Sequence, residues 1–289
     1  MSRGYTYVMS DIHGCYDQFA ELLGRISFGD DDRLYIIGDA IDRGPKSGEM
    51  IDWLVNERTP NVTFMMGNHE YMMLEDMRDI DTSQRSAVTA DEFFPTFNGD
   101  WSYNGGYDTC IQAADKCSDE TLTSFIRLCR RAPFTQEVRF EDAEGRHKRV
   151  LLVHAGLIAP AEGTQRRHAE GVGEMLRRQS PFGEVWVREP WLFGTWVPPV
   201  DVVFGHTPTP LMASLVDGIG GACAHGVSLP NSAQMRRGAD ARIMQWNGRI
   251  DIDCGCVYGG RLACLRLEDG NVWYADGCDR KAPSLDGSA

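Results

Sequence analysis

"RLYIIGDAIDRG", residues 33–44, is apolar from Leu34 to Ile37 and then stops at a glycine and two acids, Asp39 and Asp42, with Arg43 beside them. A short β-rich run ending at a polar turn reads as a buried strand that delivers side chains to the rim of a sheet. "SGEMIDWLVNE" (47–57) follows as a helix, with Gly44-Pro45 marking its approach. Upstream, "TYVMS" (6–10) precedes "YDQFAELLGRI" (16–26), whose Phe19, Leu22, Leu23 and Ile26 fall at helical spacing. Downstream, "NVTFMMGN" (61–68) runs into the helical "HEYMMLEDM" (69–77). Three strand-then-helix units predict a largely parallel layer buried on both faces, with ligands gathering at the carboxyl ends of its strands.

Two later apolar runs end the same way, "RVLLVHAG" (149–156) in His154 and "VDVVFGHT" (200–207) in His206. Asp11 and His13 follow the first strand, and Asn68 and His69 follow the third. One histidine at a strand end is usually a satisfied hydrogen-bonding group; five polar strand ends in order are not coincidence. Carboxylates, imidazoles and one amide, without thiolate, suit hard or borderline divalent ions. In Asp11-x-His13 the alternation of a strand end can point two ligands to one side. A carboxylate such as Asp39 has two oxygens to share between ions about 3.5 to 4 Å apart. Such a pair lowers the pKa of a shared water toward neutrality, and in-line hydrolysis of a phosphoester is the expected chemistry.

With 289 residues and 42% hydrophobic content the chain can bury a sizeable core. A single domain over 1–289 is expected, with a helical insertion at about 79–132 and a Gly-rich loop at about 217–245. The balance of 29 Lys and Arg against 42 Asp and Glu repels nucleic acid and anionic membrane, so phosphate must be held by a local device. No apolar run of about 18 residues occurs, and a cytoplasmic location is expected. Nine cysteines without a CxxC pair argue for reduced structural thiols rather than a disulfide or zinc framework. In "RIDIDCGC" (249–256), Asp251 and Asp253 read as polar positions alternating on a half-exposed strand, and Cys254 and Cys256 as buried thiols. The tail "GRLACLRLEDGNVWYA" alternates as antiparallel strands around a turn at Asp269-Gly270. His147, His168 and His225 belong to no motif and read as solvated loop residues, while Arg236 or Arg237 could meet an anionic substrate.

Taken in order, SDIHG (10–14), GDAIDRG (38–44), GNHE (67–70), HAG (154–156) and GHT (205–207) resemble the phosphoprotein phosphatase branch of the calcineurin-like metallophosphoesterases. That branch includes Ser/Thr protein phosphatases and diadenosine tetraphosphatases. The resemblance covers roughly residues 5–75 and 150–267; Ser10 and Ala155 depart from the usual glycines but stand at positions that bear no ligand. It implies an α/β (α+β) fold, a β-sandwich flanked by helices. Asp11, His13 and Asp39 would hold one divalent ion, and Asp39, Asn68, His154 and His206 the other. Manganese leads, with iron, zinc or nickel as the other candidates.

By the same resemblance His69 is the general acid, Asp42 orients its ring, and Arg43 clamps the phosphoryl oxygens. A carboxylate beside a histidine favours the imidazolium that can donate a proton, and a guanidinium can bond a phosphate bidentately. Arg188, in "VWVREPW", is the candidate second clamp, weighed against an ion pair with Glu184 or Glu189; Asn68 joins the two arginines in contacting substrate. Glu70 reads as a residue that supports the ligands from behind or starts the helix, rather than a catalytic one. The expected activity is hydrolysis of phosphomonoesters, foremost on phosphoserine or phosphothreonine of a protein or peptide, a lean that rests on "WSYNGGYDT" and "RIDIDCGCVYGGRL". A dinucleoside polyphosphate hydrolase is the alternative from the same chemistry. An inactive binding module on this fold is the alternative from another class, and the filled ligand and acid positions weigh against it.

Overall fold

The computed structural model describes residues 4–83, 87–94, 99–160, 171–212 and 241–278. His168, His225, Arg236, Arg237 and most of the 217–245 loop lie outside the described residues. Ten strands are described: β1 Thr6–Met9, β2 Arg33–Ile36, β3 Val62–Phe64, β4 Thr135–Glu141, β5 His147–Val153, β6 Asp201–Phe204, β7 Met244–Trp246, β8 Arg249–Asp251, β9 Arg261–Arg266 and β10 Val272–Asp276. The helices are α1 Tyr16–Arg25, α2 Ser47–Asp52, α3 Asn68–Asp76, α4 Tyr107–Lys116, α5 Asp119–Arg131, α6 Val172–Arg177, α7 Pro181–Trp186 and α8 Glu189–Phe193.

The strands form two five-stranded mixed sheets, in the orders β10-β9-β1-β2-β3 and β4-β5-β6-β8-β7. In the first, β1, β2 and β3 run parallel as their sequence units predict, and β9 returns antiparallel beside β1. In the second, β5, β6 and β8 are parallel, with β4 and β7 antiparallel at the edges. The β9-β10 hairpin turns at Asp269-Gly270, with Gly270 at φ +71°.

Apolar side chains that alternate inward pack the sheets face to face: Val8, Ile37, Met65 and Leu265 of the first meet Val138, Val150, Leu152 and Val203 around the second. The outer face of the first sheet is covered by α1 to α5, through residues such as Phe19, Met50, Met73, Phe125 and Ile126. The outer face of the second is covered by α6 and α8 and their flanks, through Met175, Trp191, Leu192 and Trp196. The architecture is therefore a sandwich flanked by helices rather than one doubly covered layer. Local caps set several helix starts: Ser118 Oγ accepts from Thr121 N at 3.1 Å ahead of α5, and Ser180 caps α7, whose first turn carries Pro181. Among the described residues no helix is long and apolar enough to cross a membrane.

Three expectations differ from the structure. Asp251, at the end of β8, and Asp253, just beyond it, are both buried and not on a half-exposed face. Cys15 and Cys278 are joined by a disulfide, so the cysteines are not all reduced; Cys110, Cys117, Cys129, Cys254, Cys256 and Cys264 are free thiols. His147 begins β5 and is exposed, whereas a loop position was expected.

Candidate metal centre

The ten candidate residues come from six stretches of chain, and the strand ends bring the ligand types together. Backbone strain marks the place: of eight non-glycine residues with positive φ among the described residues, six are Asp11, His13, Asp39, Asp42, Arg43 and His206. L-residues held in the left-handed region cost energy and persist where surrounding contacts fix them. Here the contacts are visible. His13 N donates to Asp39 O at 2.8 Å, and Gly14 N to Ala40 O at 2.8 Å, which staples the loop after β1 to the loop after β2.

Glu70 fastens the second loop to the third. Its carboxylate accepts from Asp39 N at 2.9 Å, Ala40 N at 2.9 Å, Ile41 N at 3.4 Å and Gly67 N at 3.2 Å. Burial and the nearby Asp39 charge push Glu70 up to about 7, and the N–H groups aimed at it oppose that rise. Gly67 is required between these loops, since a Cβ there would overlap the Asp39 backbone nitrogen.

Asp39 is the hub. Its Oδ2 lies 3.5 Å from His13 Nε2 and 3.4 Å from His154 Nε2, and all three side chains are almost fully buried. His13, Asp39 and His69 form one group of ligand atoms within 4.8 Å of one another, and Asp39, His154 and His206 form a second. Asn68 Oδ1 stands 2.9 Å from His154 Nε2 and 2.8 Å from His206 Nδ1. Asp11 sits beside these groups rather than in either, with its carboxylate accepting from His206 N at 3.1 and 3.0 Å and from Ser10 Oγ.

The tautomers follow from the backbone. His13 Nδ1 lies 3.0 Å from Ile41 O and His154 Nδ1 2.9 Å from Ile37 O; a carbonyl can only accept, so each Nδ1 carries the proton and each Nε2 offers a lone pair. Lone pairs from Asp39 Oδ2, Asn68 Oδ1 and the two Nε2 atoms thus converge on one buried space. His206 Nε2 and His69 Nε2 are buried without a partner. A cluster of acceptors calls for positive charge, and oxygen and imidazole donors fit divalent ions.

The electrostatics carry the same demand. Burial and the neighbouring His69 ring hold His13 well below the usual histidine range, and burial with the His154 charge does so for His206. Those rings are neutral, which is the ligating form. Burial also works against charge on His154, but Asp39 beside it prevails and raises it to about 9, so Nε2 takes up a proton unless a metal ion takes that lone pair in its place. Burial would raise Asp39 in turn, yet His154 and His69 hold it well below the usual carboxylate range. Asp11 is raised, by burial first.

Beside the ligands, His69 Nδ1 donates to Asp42 Oδ2 at 2.6 Å, leaving Nε2 open 4.0 Å from Asp39 Oδ2. Asp42 is itself gripped: Trp101 Nε1 donates to Oδ2 at 2.9 Å and Thr109 Oγ1 to Oδ1 at 2.6 Å. Trp101 and Thr109 are the residues that sequence reasoning missed as part of the site; the only signal was the aromatic segment from 101. Arg43 Nη1 donates to His13 Nε2 at 3.0 Å. Arg188, just before α8, is exposed as a residue but near enough to Arg43, Asp11, Asp253 and Asp39 for their charges to act on it; partial desolvation of its guanidinium and the like charge of Arg43 lower its pKa. Glu184, its expected ion-pair alternative, is buried and bonded to Thr135 instead.

Residues 5–241 match the family model described as "Calcineurin-like phosphoesterase". A symmetrical bis(5'-nucleosyl)-tetraphosphatase of Dechloromonas aromatica is 25% identical over 305 residues, covering 94% of this chain and 95% of that one. Serine/threonine-protein phosphatase 1 of Salmonella typhimurium is 28% identical over 268 residues, covering 91% and 92%. The crystal structure of a candidate diadenosine tetraphosphatase superposes with a TM-score of 0.51 at 20% identity over 96% of both chains, a likeness of fold. Both two-sheet architecture and family model agree: the chain belongs to the calcineurin-like phosphoesterase family.

Proposed function

We propose that this chain hydrolyses phosphoesters by in-line displacement, with Asp11, His13 and Asp39 holding one divalent ion and Asp39, Asn68, His154 and His206 a second. The observation that carries this reading is Asp39, a buried carboxylate whose Oδ2 faces His13 on one side at 3.5 Å and His154 on the other at 3.4 Å. Manganese is the favoured ion, with iron, zinc or nickel as the others that suit the donors. Bound there, two ions would make a water between them acidic enough to attack at neutral pH and would offset charge on the phosphoryl group.

The chain's own residues do the rest. Arg43 and Arg188 hold the phosphoryl oxygens, aided by Asn68, and their charges stabilise the extra negative charge of the transition state. His69 gives the Nε2 proton to the leaving oxygen. Asp42 supports that step by accepting from Nδ1–H, which holds the ring with Nε2 turned toward the reacting group. Trp101 and Thr109 keep the Asp42 carboxylate from turning away.

Two substrate classes fit this chemistry. Phosphoserine or phosphothreonine of a protein is supported by the 28% identity to a protein phosphatase. A dinucleoside polyphosphate is supported by the tetraphosphatase relative that matches 94% of the chain. Product analysis on the metal-reconstituted chain separates them. Inorganic phosphate from a phosphopeptide, with diadenosine tetraphosphate intact, selects the first, and nucleoside diphosphate formation selects the second. A chain that binds two ions and turns over neither these nor p-nitrophenyl phosphate is not a phosphoesterase.

A further inference from the structure

The segment leading into α4 builds a wall against Arg43. Ser102–Gly106 form a wide helical turn that kinks at Gly105, where φ is +110°. A Cβ at Gly105 would lie 2.7 Å from Arg43 N, so glycine is what lets this segment sit against the Arg43 backbone. Tyr103 is 74% exposed and Tyr107 55% exposed. Tyr258, in the short turn after β8, is 61% exposed, with its ring centroid 5.7 Å from Arg43 Cζ. These three tyrosines, Arg43, Asn104 and Asp108 line one open cavity of about 420 Å³.

Three tyrosine rings, each more than half exposed, stand around one arginine, Tyr107 edge-on to Phe94 and Tyr258 beneath the Arg43 guanidinium, and offer a binding surface. Arg43 supplies charge for a phosphate at the mouth of this cavity. The rings supply flat apolar faces, on which any nucleobase can stack. Asn104 donates through Nδ2 to Asp100 O at 2.8 Å, which leaves Oδ1 to accept from a base's amino edge. Asp108 adds negative charge to the same lining, which disfavours a second phosphate there. A serine or threonine leaving group carries no ring and would leave all three tyrosines unused.

We propose that this cavity is the leaving-group subsite, in which the base of a nucleoside phosphate stacks against Tyr103, Tyr107 and Tyr258 while its phosphate meets Arg43. It rests on the Arg43 role assigned above and names the nucleotide class for the same site. The test is calorimetric titration of ADP, and of ribose 5-phosphate as the probe without a base, into the metal-loaded full chain. Wild type, Tyr103→Ala, Tyr258→Ala and Tyr258→Phe are compared, with thermal melting to show that each is folded. Loss of one stacking face should weaken ADP binding about 5- to 100-fold in each Ala variant. Tyr258→Phe should stay within about twofold of wild type, and ribose 5-phosphate should bind all four alike. ADP affinity unchanged by both Ala substitutions, absence of ADP binding by wild type, or an equal loss for ribose 5-phosphate each overturns the subsite. Turnover of diadenosine tetraphosphate by wild type tests the hydrolase reading separately, since ADP binding does not depend on catalysis.

Discussion

At the residue level, the site is built by carboxylates that each answer to several donors. Asp42 shows this best, because it accepts from His69, Trp101 and Thr109 at once. Trp101→Phe removes one donor to a charged group and keeps the ring, at a cost of about 1.5 to 3 kcal/mol when felt in the transition state. The expected result is a fall in kcat of about 10- to 100-fold with metal content unchanged, read by steady-state kinetics and elemental analysis. Unchanged kcat would mean that Trp101 does not hold Asp42 in place. Glu70→Gln tests the loop staple: the amide keeps the shape but turns one of the two accepting oxygens into a donor that faces backbone N–H groups. A loss of about 2 kcal/mol by denaturant unfolding is expected, and no loss contradicts the staple. The ligand types were legible because they stand at strand ends in one order; Trp101 and Thr109 were not, since they reach Asp42 across 59 and 67 residues of chain.

At the level of elements, three loops are locked to one another and α3 starts inside the lock. Gly67→Ala would drive a Cβ into Asp39, so the expected outcome is loss of activity together with a stability loss of about 3 kcal/mol or more. A variant with wild-type melting and turnover would show that the loops part freely. The strand-then-helix units of the first 76 residues were readable from periodicity alone. The burial of Asp251 and Asp253 was not, because alternation along a strand tells which residues share a face but not whether that face is covered. The helices α4 and α5 were readable as helices, but their docking on the core beside Trp101 depends on contacts made only in the fold.

Over the whole molecule, two sheets share one interior, and the last strands return to complete the first sheet. Short apolar runs cannot say which of two sheets they join, so the sequence pattern yielded a parallel layer and the sandwich came only from family resemblance. The Cys15–Cys278 bridge spans 263 residues, a pairing that spacing could not reveal. The free thiols report on the same interior. Burial pushes Cys117 and Cys256 up to about 12 from an ordinary value of 9.0, with Asp52 and Asp253 charges adding to the rise. Folding therefore favours the protonated thiol: this contribution is fully present below about pH 9 and is lost as pH climbs toward 12. Thermal stability should decline between pH 9 and 10, and iodoacetamide should label the folded chain far more slowly than the unfolded chain at pH 7.5. Labelling at equal rates would place those thiols in water.

The central claim is that Asp39 is shared by two metal ions while His69 serves the reaction without holding either. Elemental analysis of the metal-reconstituted wild type, Asp39→Asn and His69→Ala, run alongside p-nitrophenyl phosphate turnover, tests it most directly. About two ions per wild-type chain, about one or fewer in Asp39→Asn, about two in His69→Ala, and turnover lost in both variants are expected. Full metal content in Asp39→Asn, or wild-type turnover in either variant, would contradict it.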